Sequence, residues 1–291
     1  MLHSQTKRVS ITRVINDNGE SVSDVLAIEE PLEIRLEYGP ANERKVQNVS
    51  VTMRTPGNDA ELATGFLFTE GVVKNIEDIA AVEHRFIACA ENKENVVQVK
   101  LAEGAVPNLH NTERNFYTTS SCGVCGKGSI AAIRTVSSFD HQKNKGLYIS
   151  AKLLYSLPAA LSRQQQVFAD TGGLHASALF NKAGELLLVR EDVGRHNALD
   201  KLIGAALNKN WLPLDESILL LSGRASFELV QKAAMAGISI VAAVGAPSSL
   251  AVELAEEFDI TLAGFLRNRR FNIYTAAHRI LLPLHENTYK K

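Results

Sequence analysis

Cys122-Gly123-Val124-Cys125 places two thiols three positions apart, inside a segment built almost wholly of small residues (Thr118–Ser129, TTSSCGVCGKGS). A Cys-x-x-Cys pair serves as half of a zinc site, as a dithiol redox centre, or as a nucleophilic thiol with a helper. A structural zinc site wants four Cys or His ligands at close spacing. Cys89 is the only other cysteine, and no closely spaced pair of histidines lies near the motif, so a zinc site would need distant histidines. A thioredoxin-like dithiol opens a helix after a strand. Here glycine and serine flank the pair, which favours a mobile loop. The third use fits these residues best. Gly123, Gly126 and Gly128 let the backbone swing close to a partner. Lys127 favours a thiolate or a persulfide anion. A cysteine that carries sulfur needs this combination, because it must enter a donor, leave it, and present the sulfur elsewhere. The alternative is an inert surface loop, but an exposed thiol pair is a liability that ordinary surfaces avoid.

The second half of the chain carries four further segments with reactive or anion-binding residues: Asp170–Ala176 with His175, Glu191–Lys201 with Asp192, Arg195 and His196, Leu221–Ser226 with Ser222 and Arg224, and Gly245–Ser249. The last two follow apolar runs that read as parallel strands, and they open helical runs. Helix N-termini offer free N–H groups and the positive dipole end to phosphate. Ligands of open α/β sheets sit at the carboxyl ends of the strands. Arg224 adds a planar guanidinium fork. Phe265-Leu266-Arg267-Asn268-Arg269-Arg270 adds a second cationic group, and together these segments imply a pocket for a phosphorylated ligand. Each has a plainer reading. Ser and Pro at helix starts are ordinary caps, and arginine clusters often sit in water. His175 could be a satisfied core histidine, and Asp192, Arg195 and His196 could form a salt-bridge set at a helix start.

The elements that must hold these residues divide the chain in two. Val9–Asn16, Leu32–Tyr38, Gln47–Arg54 and Asn95–Leu101 are rich in β-branched residues with partial alternation and read as strands of an antiparallel sheet. Thr55–Asn58 reads as a turn before a helix over Asp59–Phe68. After a polar stretch at His141–Gly146, Ala151–Phe168 reads as a helix kinked at Pro158. Ala176–Phe180 and Glu185–Arg190 read as a hairpin. Helix and strand then alternate: Arg195–Leu207, Ser217–Ser222, Phe227–Ala236, Ile238–Val244, Ser248–Phe258 and Ile260–Phe265. That pattern implies an α/β sheet sandwiched by helices, with SILLLS and ISIVAAVG as strands buried on both faces. The expected organisation is a smaller β-rich α+β domain over 1–147, ending in the mobile Cys-x-x-Cys loop at 118–129, and an α/β domain over 148–291.

Composition narrows the classes. The chain has 291 residues, with 31 Lys plus Arg against 32 Asp plus Glu, and 45% hydrophobic residues. These values suit a globular protein and exclude a disordered one. A net charge of −1 argues against a broad nucleic-acid-binding face. Three cysteines are too few for a disulfide framework and point to a reducing compartment. The N-terminal MLHSQTKRVSITRVIND lacks the apolar core of a secretory signal. The most apolar run, Ile238–Pro247, is too short to span a membrane. The expectation is a soluble, cytoplasmic protein that binds neither membrane nor nucleic acid.

The segments together resemble one family. SCGVCG (Ser121–Gly126), TGGLHAS (Thr171–Ser177), EDVGRHNALDK (Glu191–Lys201), SGRASFELVQK (Ser222–Lys232) and LATGFLFTEG (Leu62–Gly71) are similar to the FdhD family of formate dehydrogenase accessory proteins. The resemblance implies a sulfurtransferase that takes persulfide sulfur from a cysteine desulfurase. The acceptor it implies is the molybdenum (or tungsten) bis-guanine-dinucleotide pterin of formate dehydrogenase, bound as substrate, with no resident metal. It makes Cys122 the persulfide carrier and Cys125 its companion, and it maps the cofactor segment onto Phe265–Arg270. It further implies a cytidine-deaminase-like α/β/α sandwich and a homodimer. FLRNRR is richer in arginine than the family pattern. Two other functions compete. A cofactor-binding chaperone would use the pocket without moving sulfur. A zinc nucleoside deaminase would use His-x-Glu followed by Pro-Cys-x-x-Cys, but here the Cys pair comes first, no Pro precedes it, and Ser177 stands where the Glu belongs.

Overall fold

A computed structural model describes residues 5–85, 95–109, 139 and 146–283. The Cys-x-x-Cys segment and Cys89 lie outside the described residues. The chain opens with β1 (Thr6–Ile15) and β2 (Asn18–Ala27), an antiparallel hairpin that forms a sheet of its own. Asn16 and Asp17 both take positive φ (47° and 64°), which matches the two-residue turn favoured by twisted hairpins. A four-stranded sheet follows, from β3 (Glu30–Tyr38), β4 (Lys45–Arg54), β5 (Ile79–His84) and β6 (Val96–Leu101), in the order β4-β3-β6-β5. Helix α1 (Asp59–Thr69) lies between β4 and β5 in the chain. Four strands expected from the alternation are present; β2 and β5 are additional. The sheet is mixed rather than antiparallel, because β3 and β6 pair in parallel.

The second half contains β7 (Ile149–Ser150), α2 (Ala151–Ser162), α3 (Gln166–Thr171), β8 (His175–Asn181), β9 (Leu186–Asp192), α4 (Arg195–Asn208), β10 (Ser217–Leu221), α5 (Phe227–Met235), β11 (Ile240–Ala243), α6 (Ser249–Glu257), β12 (Thr261–Arg267), β13 (Arg270–Ile273) and β14 (Ile280–Leu281). Six of these strands form one sheet in the order β13-β12-β11-β10-β8-β9. β10, β11 and β12 are parallel, as the alternating pattern requires, and β8–β9 is the expected hairpin. Side chains alternate across this sheet with period two. Leu219, Leu221, Val241 and Ala243 join one core with residues of α4, α5 and α6. Ile218, Leu220, Ile240 and Ala242 join a second core with Leu154, Leu157 and Leu161 of α2. Burial on both faces explains why these strands read as unbroken apolar runs. The expected helix over Ala151–Phe168 is two helices. α2 continues through Pro158 to Ser162, and α3 starts after a break.

The expected domain boundary falls beside 140–145, outside the described residues. The first core crosses it. Leu32, Ile34, Val97 and Val99 of the four-stranded sheet belong to the same buried cluster as Leu199, Ile203 and Leu229. α1 packs on α4 at a backbone crossing that only glycine permits. A Cβ on Gly65 would sit 1.9 Å from the Asp200 carbonyl oxygen, and one on Gly204 would sit 1.9 Å from that of Glu61. No described helix is long and apolar enough to cross a membrane.

Candidate functional site

The topology collects the predicted residues on one edge of the six-stranded sheet. β10, β11 and β12 end there. β8, antiparallel to β10, begins there with His175, and β9 ends there with Asp192 paired to His175. Backbone bonds stitch the loops into a ledge. The Gly245 N–H donates to the Gly223 carbonyl and the Phe265 N–H to the Gly245 carbonyl, each at 2.9 Å. The Ser222 hydroxyl accepts the Ala176 N–H at 2.8 Å, which ties β8 to the loop after β10. Helices α4, α5 and α6 rise from this ledge. Ser248 caps its own helix through the Ala251 N–H, whereas Gly194 and Ser226 provide no side-chain cap for α4 and α5. Helix N-termini without a side-chain cap offer donors to a ligand, although in α5 the Glu228 carboxylate already takes its own N–H.

A cleft of about 510 Å³ lies between this ledge and the α2–α3 segment. Pro158, Leu161, Phe168, Leu174 and Val244 make its apolar wall, and His175 and Ser222 bring polar groups to it. Burial pushes the His175 imidazole below its ordinary value of 6.5. The Arg195 guanidinium and the neighbouring His196 ring push it further down, against a smaller opposite pull from Asp192. His175 is therefore a neutral ring at neutral pH. His196 is buried, with Nε2 3.4 Å from the Ser226 hydroxyl and 3.7 Å from a Glu228 carboxylate oxygen. Burial works to raise the Glu228 carboxyl, but its bonds to His196, its own N–H and Ser226 win and bring it to about 2. Arg195 Nε is buried with no hydrogen-bond partner among the described residues. A buried guanidinium nitrogen left unpaired calls for an acceptor, and a ligand phosphate or carbonyl would supply one.

Residues 27–281 match the FdhD/NarQ family. The chain belongs to this family. It is 49% identical to the Sulfur carrier protein FdhD of Streptomyces avermitilis, over 95% of this chain and 96% of that one. It is 50% identical to that of Mycobacterium tuberculosis, over 96% and 98%. A crystal structure from Desulfotalea psychrophila, described as a formate dehydrogenase accessory protein, matches with a TM-score of 0.70 at 23% identity. That likeness covers 96% of this chain and 100% of that one, and it concerns the fold.

His175 and Ser222 line the cleft, and Arg195 and His196 lie close enough to His175 to shift it. Arg224 is exposed on the ledge beside Gly245. Phe265 is half-buried on the same ledge with φ 56°, where the register shifts between Gly264 and Arg267. A non-glycine residue in that region is strained, and such strain gathers at functional sites. Arg267, Asn268, Arg269 and Arg270 are exposed on the β12–β13 turn. The Arg269 guanidinium sits 5.9 Å from the Tyr155 ring centroid, one turn before Pro158 on α2. The arginine turn thus flanks the cleft wall. Leu266 does not reach a surface; it is buried in the α2-side core. Cys122 and Cys125 lie outside the described residues.

Half of the Glu191–Lys201 motif is structural. Lys201 Nζ lies 2.6 Å from Asp192 Oδ2 and donates to the Thr55 carbonyl at 2.8 Å. Asp192 also accepts the Thr55 N–H, and Asn197 donates to the Met53 carbonyl. These bonds lock the strand end and turn after β4 to the corner that displays Arg195 and His196. Asp192 pairs with Lys201, not with Arg195 or His196 beside it. A second buried group joins Asp200, Lys232 and Thr69, with Lys232 Nζ 3.0 Å from Asp200 and 2.9 Å from the Thr69 hydroxyl. Although burial opposes its charge, Asp200 and Glu70 hold Lys232 protonated. The α2–α3 wall escaped the sequence reading. Gly172-Gly173 was the available signal that the helical run ends before His175.

Proposed function

We propose that this protein is a sulfur carrier for formate dehydrogenase. In this reading the Cys122 thiolate attacks the terminal sulfur of a cysteine desulfurase persulfide. A new S–S bond forms on Cys122 as the donor's S–S bond breaks, and the donor cysteine leaves as a thiolate. The carried sulfur then passes to the substrate, the molybdenum or tungsten bis-guanine-dinucleotide pterin: the Cys122 S–S bond breaks, Cys122 leaves as a thiolate, and the two electrons that make the sulfur a sulfide come from the reduced metal of that substrate. Cys125 tunes or relays. The observation that carries the reading is near-full-length identity of about half to proteins named sulfur carriers. The site supports it. Arg195, Arg224 and the arginines of the 267–270 turn supply cations for the dinucleotide's phosphates, with His196 beside them, the α4 N-terminus supplies N–H donors, and the cleft supplies an apolar wall for a planar ring. His175 and Ser222 border the same space, and Phe265 stands on the adjoining ledge. The proposal includes a homodimer in the cytoplasm, domains over 1–147 and 148–291, and a cytidine-deaminase-like layering of the second half.

The test is mass spectrometry of the Cys122 peptide after incubation with a desulfurase and cysteine. The expected adduct is about 32 Da per sulfur on the thiolate that attacks. Cys122→Ala should leave formate dehydrogenase inactive. Full dehydrogenase activity with that variant would reduce the protein to a cofactor-binding chaperone.

A further inference from the structure

The α2–α3 segment supplies one whole side of the cleft, and while α2 is anchored in the core, α3 buries no residue of its own. α3 is six residues long, and none of them is buried. It is bounded by the break at Arg163–Gln165 and by Gly172, which takes φ 64° with open space around it. Its start is tied from outside the segment by one side chain, Glu191, whose carboxylate accepts the Phe168 N–H at 3.2 Å and draws also on the Val167 N–H. It otherwise leans on β2, whose only strand partner among the described residues is β1. A short helix with no buried face, ended by a left-handed glycine, belongs to the low-stability end of a structure. Phe168 faces the cleft and is 41% exposed, a large ring left in water at the mouth of a largely apolar space.

We propose that α3 is a closing wall. Its Phe168 ring folds over the planar part of the bound nucleotide, and Glu191 is the positioning residue that sets the wall's start. This rests on the reading of the cleft as the dinucleotide site. Closure buries the exposed ring against the ligand and leaves entry unobstructed, so the wall acts on release. The neighbouring cations supply long-range attraction, and Phe168 supplies cover.

Hydrogen exchange and binding kinetics on the full chain test this, with GDP and its fluorescent derivative as probes. GDP should slow exchange at amides 166–173. Phe168→Ala should raise the GDP dissociation rate about tenfold, the scale of losing a partly buried aromatic ring, with the association rate unchanged. Thermal stability should be unaltered, because Phe168 is not packed in the core. Glu191→Ala should raise the dissociation rate similarly, and Glu191→Gln, which keeps the acceptor oxygen, should restore it. If GDP binds but the 166–173 amides exchange as before, or Phe168→Ala releases GDP at the wild-type rate, the closing wall is wrong and the nucleotide site stands. If the wild type does not bind GDP, the site reading fails and the wall fails with it.

Discussion

Single residues in the Glu191–Lys201 motif have opposite duties, and the sequence does not separate them. Asp192 and Lys201 are 0% and 1% exposed at the side chain and satisfy each other. Arg195 and His196, in the same stretch, lie close enough to His175 to shift its titration. The partner that decides the role of Asp192 lies a helix-length away, and its second partner, Thr55, comes from the other half of the chain, so spacing alone could not assign it. Lys201→Met should therefore cost about 3–5 kcal/mol in chemical denaturation, because it strands a buried carboxylate. Replacing both partners, as in Asp192→Asn with Lys201→Met, should recover part of that loss. His175 carries the pH response. Its folded value lies below the ordinary 6.5, so as pH falls through 6.5 the unfolded chain takes up the proton first. Stability therefore drops on acidification. His175→Gln should flatten the stability–pH curve below pH 6.5, and denaturation midpoints compared between pH 7.5 and 5.5 measure it; parallel curves would mean the ring titrates alike in both states.

At the scale of elements, the legible parts were those whose burial is simple. The strands of the six-stranded sheet are covered on both faces and read as continuous apolar runs, and their alternation with helices fixed the parallel order. β2 and β5 were missed because partial exposure dilutes their alternation: most of β2 faces solvent, and no residue of β5 is fully buried. The α2–α3 break was missed because Pro158 drew attention while the chain turned later, at Arg163–Gln165. The glycines of the α1–α4 crossing looked ordinary in sequence, yet each lies against the facing helix's backbone. Gly65→Ala must push two helices apart against backbone that cannot yield, so we expect a loss at or above the upper end of the usual 1–3 kcal/mol for overpacking; a urea titration reads it directly. The β12–β13 turn carries a functional prediction. Replacing Arg267, Arg269 and Arg270 by Gln should weaken GDP binding and make it less sensitive to salt, since exposed charges act through a screened field. A variant with the wild-type affinity and salt slope would remove the turn from the site.

At the scale of the whole molecule, the two halves that chain order suggests share one buried cluster. A β-rich first half followed by an α/β second half reads as two separable units. The buried residues instead place α1 against α4, with the four-stranded sheet on one side and the six-stranded sheet on the other, within one continuous cluster. The pairing of distant glycines and the bonds from Asp192, Asn197 and Lys201 to Met53 and Thr55 depend on three-dimensional contact, which composition cannot report. Chains of this length often unfold through intermediates, one unit at a time. A shared core removes that option, because either half alone would expose apolar surface that the other covers. We therefore predict one cooperative unfolding transition, in which the fluorescence of the single tryptophan, Trp211, and the far-ultraviolet circular dichroism change together. The β1–β2 hairpin stands outside this unit, because an isolated two-stranded sheet is marginal in water, and its amides should exchange before the transition begins. The fragment 148–291, expressed alone, should lack the native transition. A fragment that folds with the full-length midpoint, or two resolved transitions in the intact chain, would show that the shared core does not couple the halves. The Arg195–His196 corner would then not depend on the Thr55 turn for its placement.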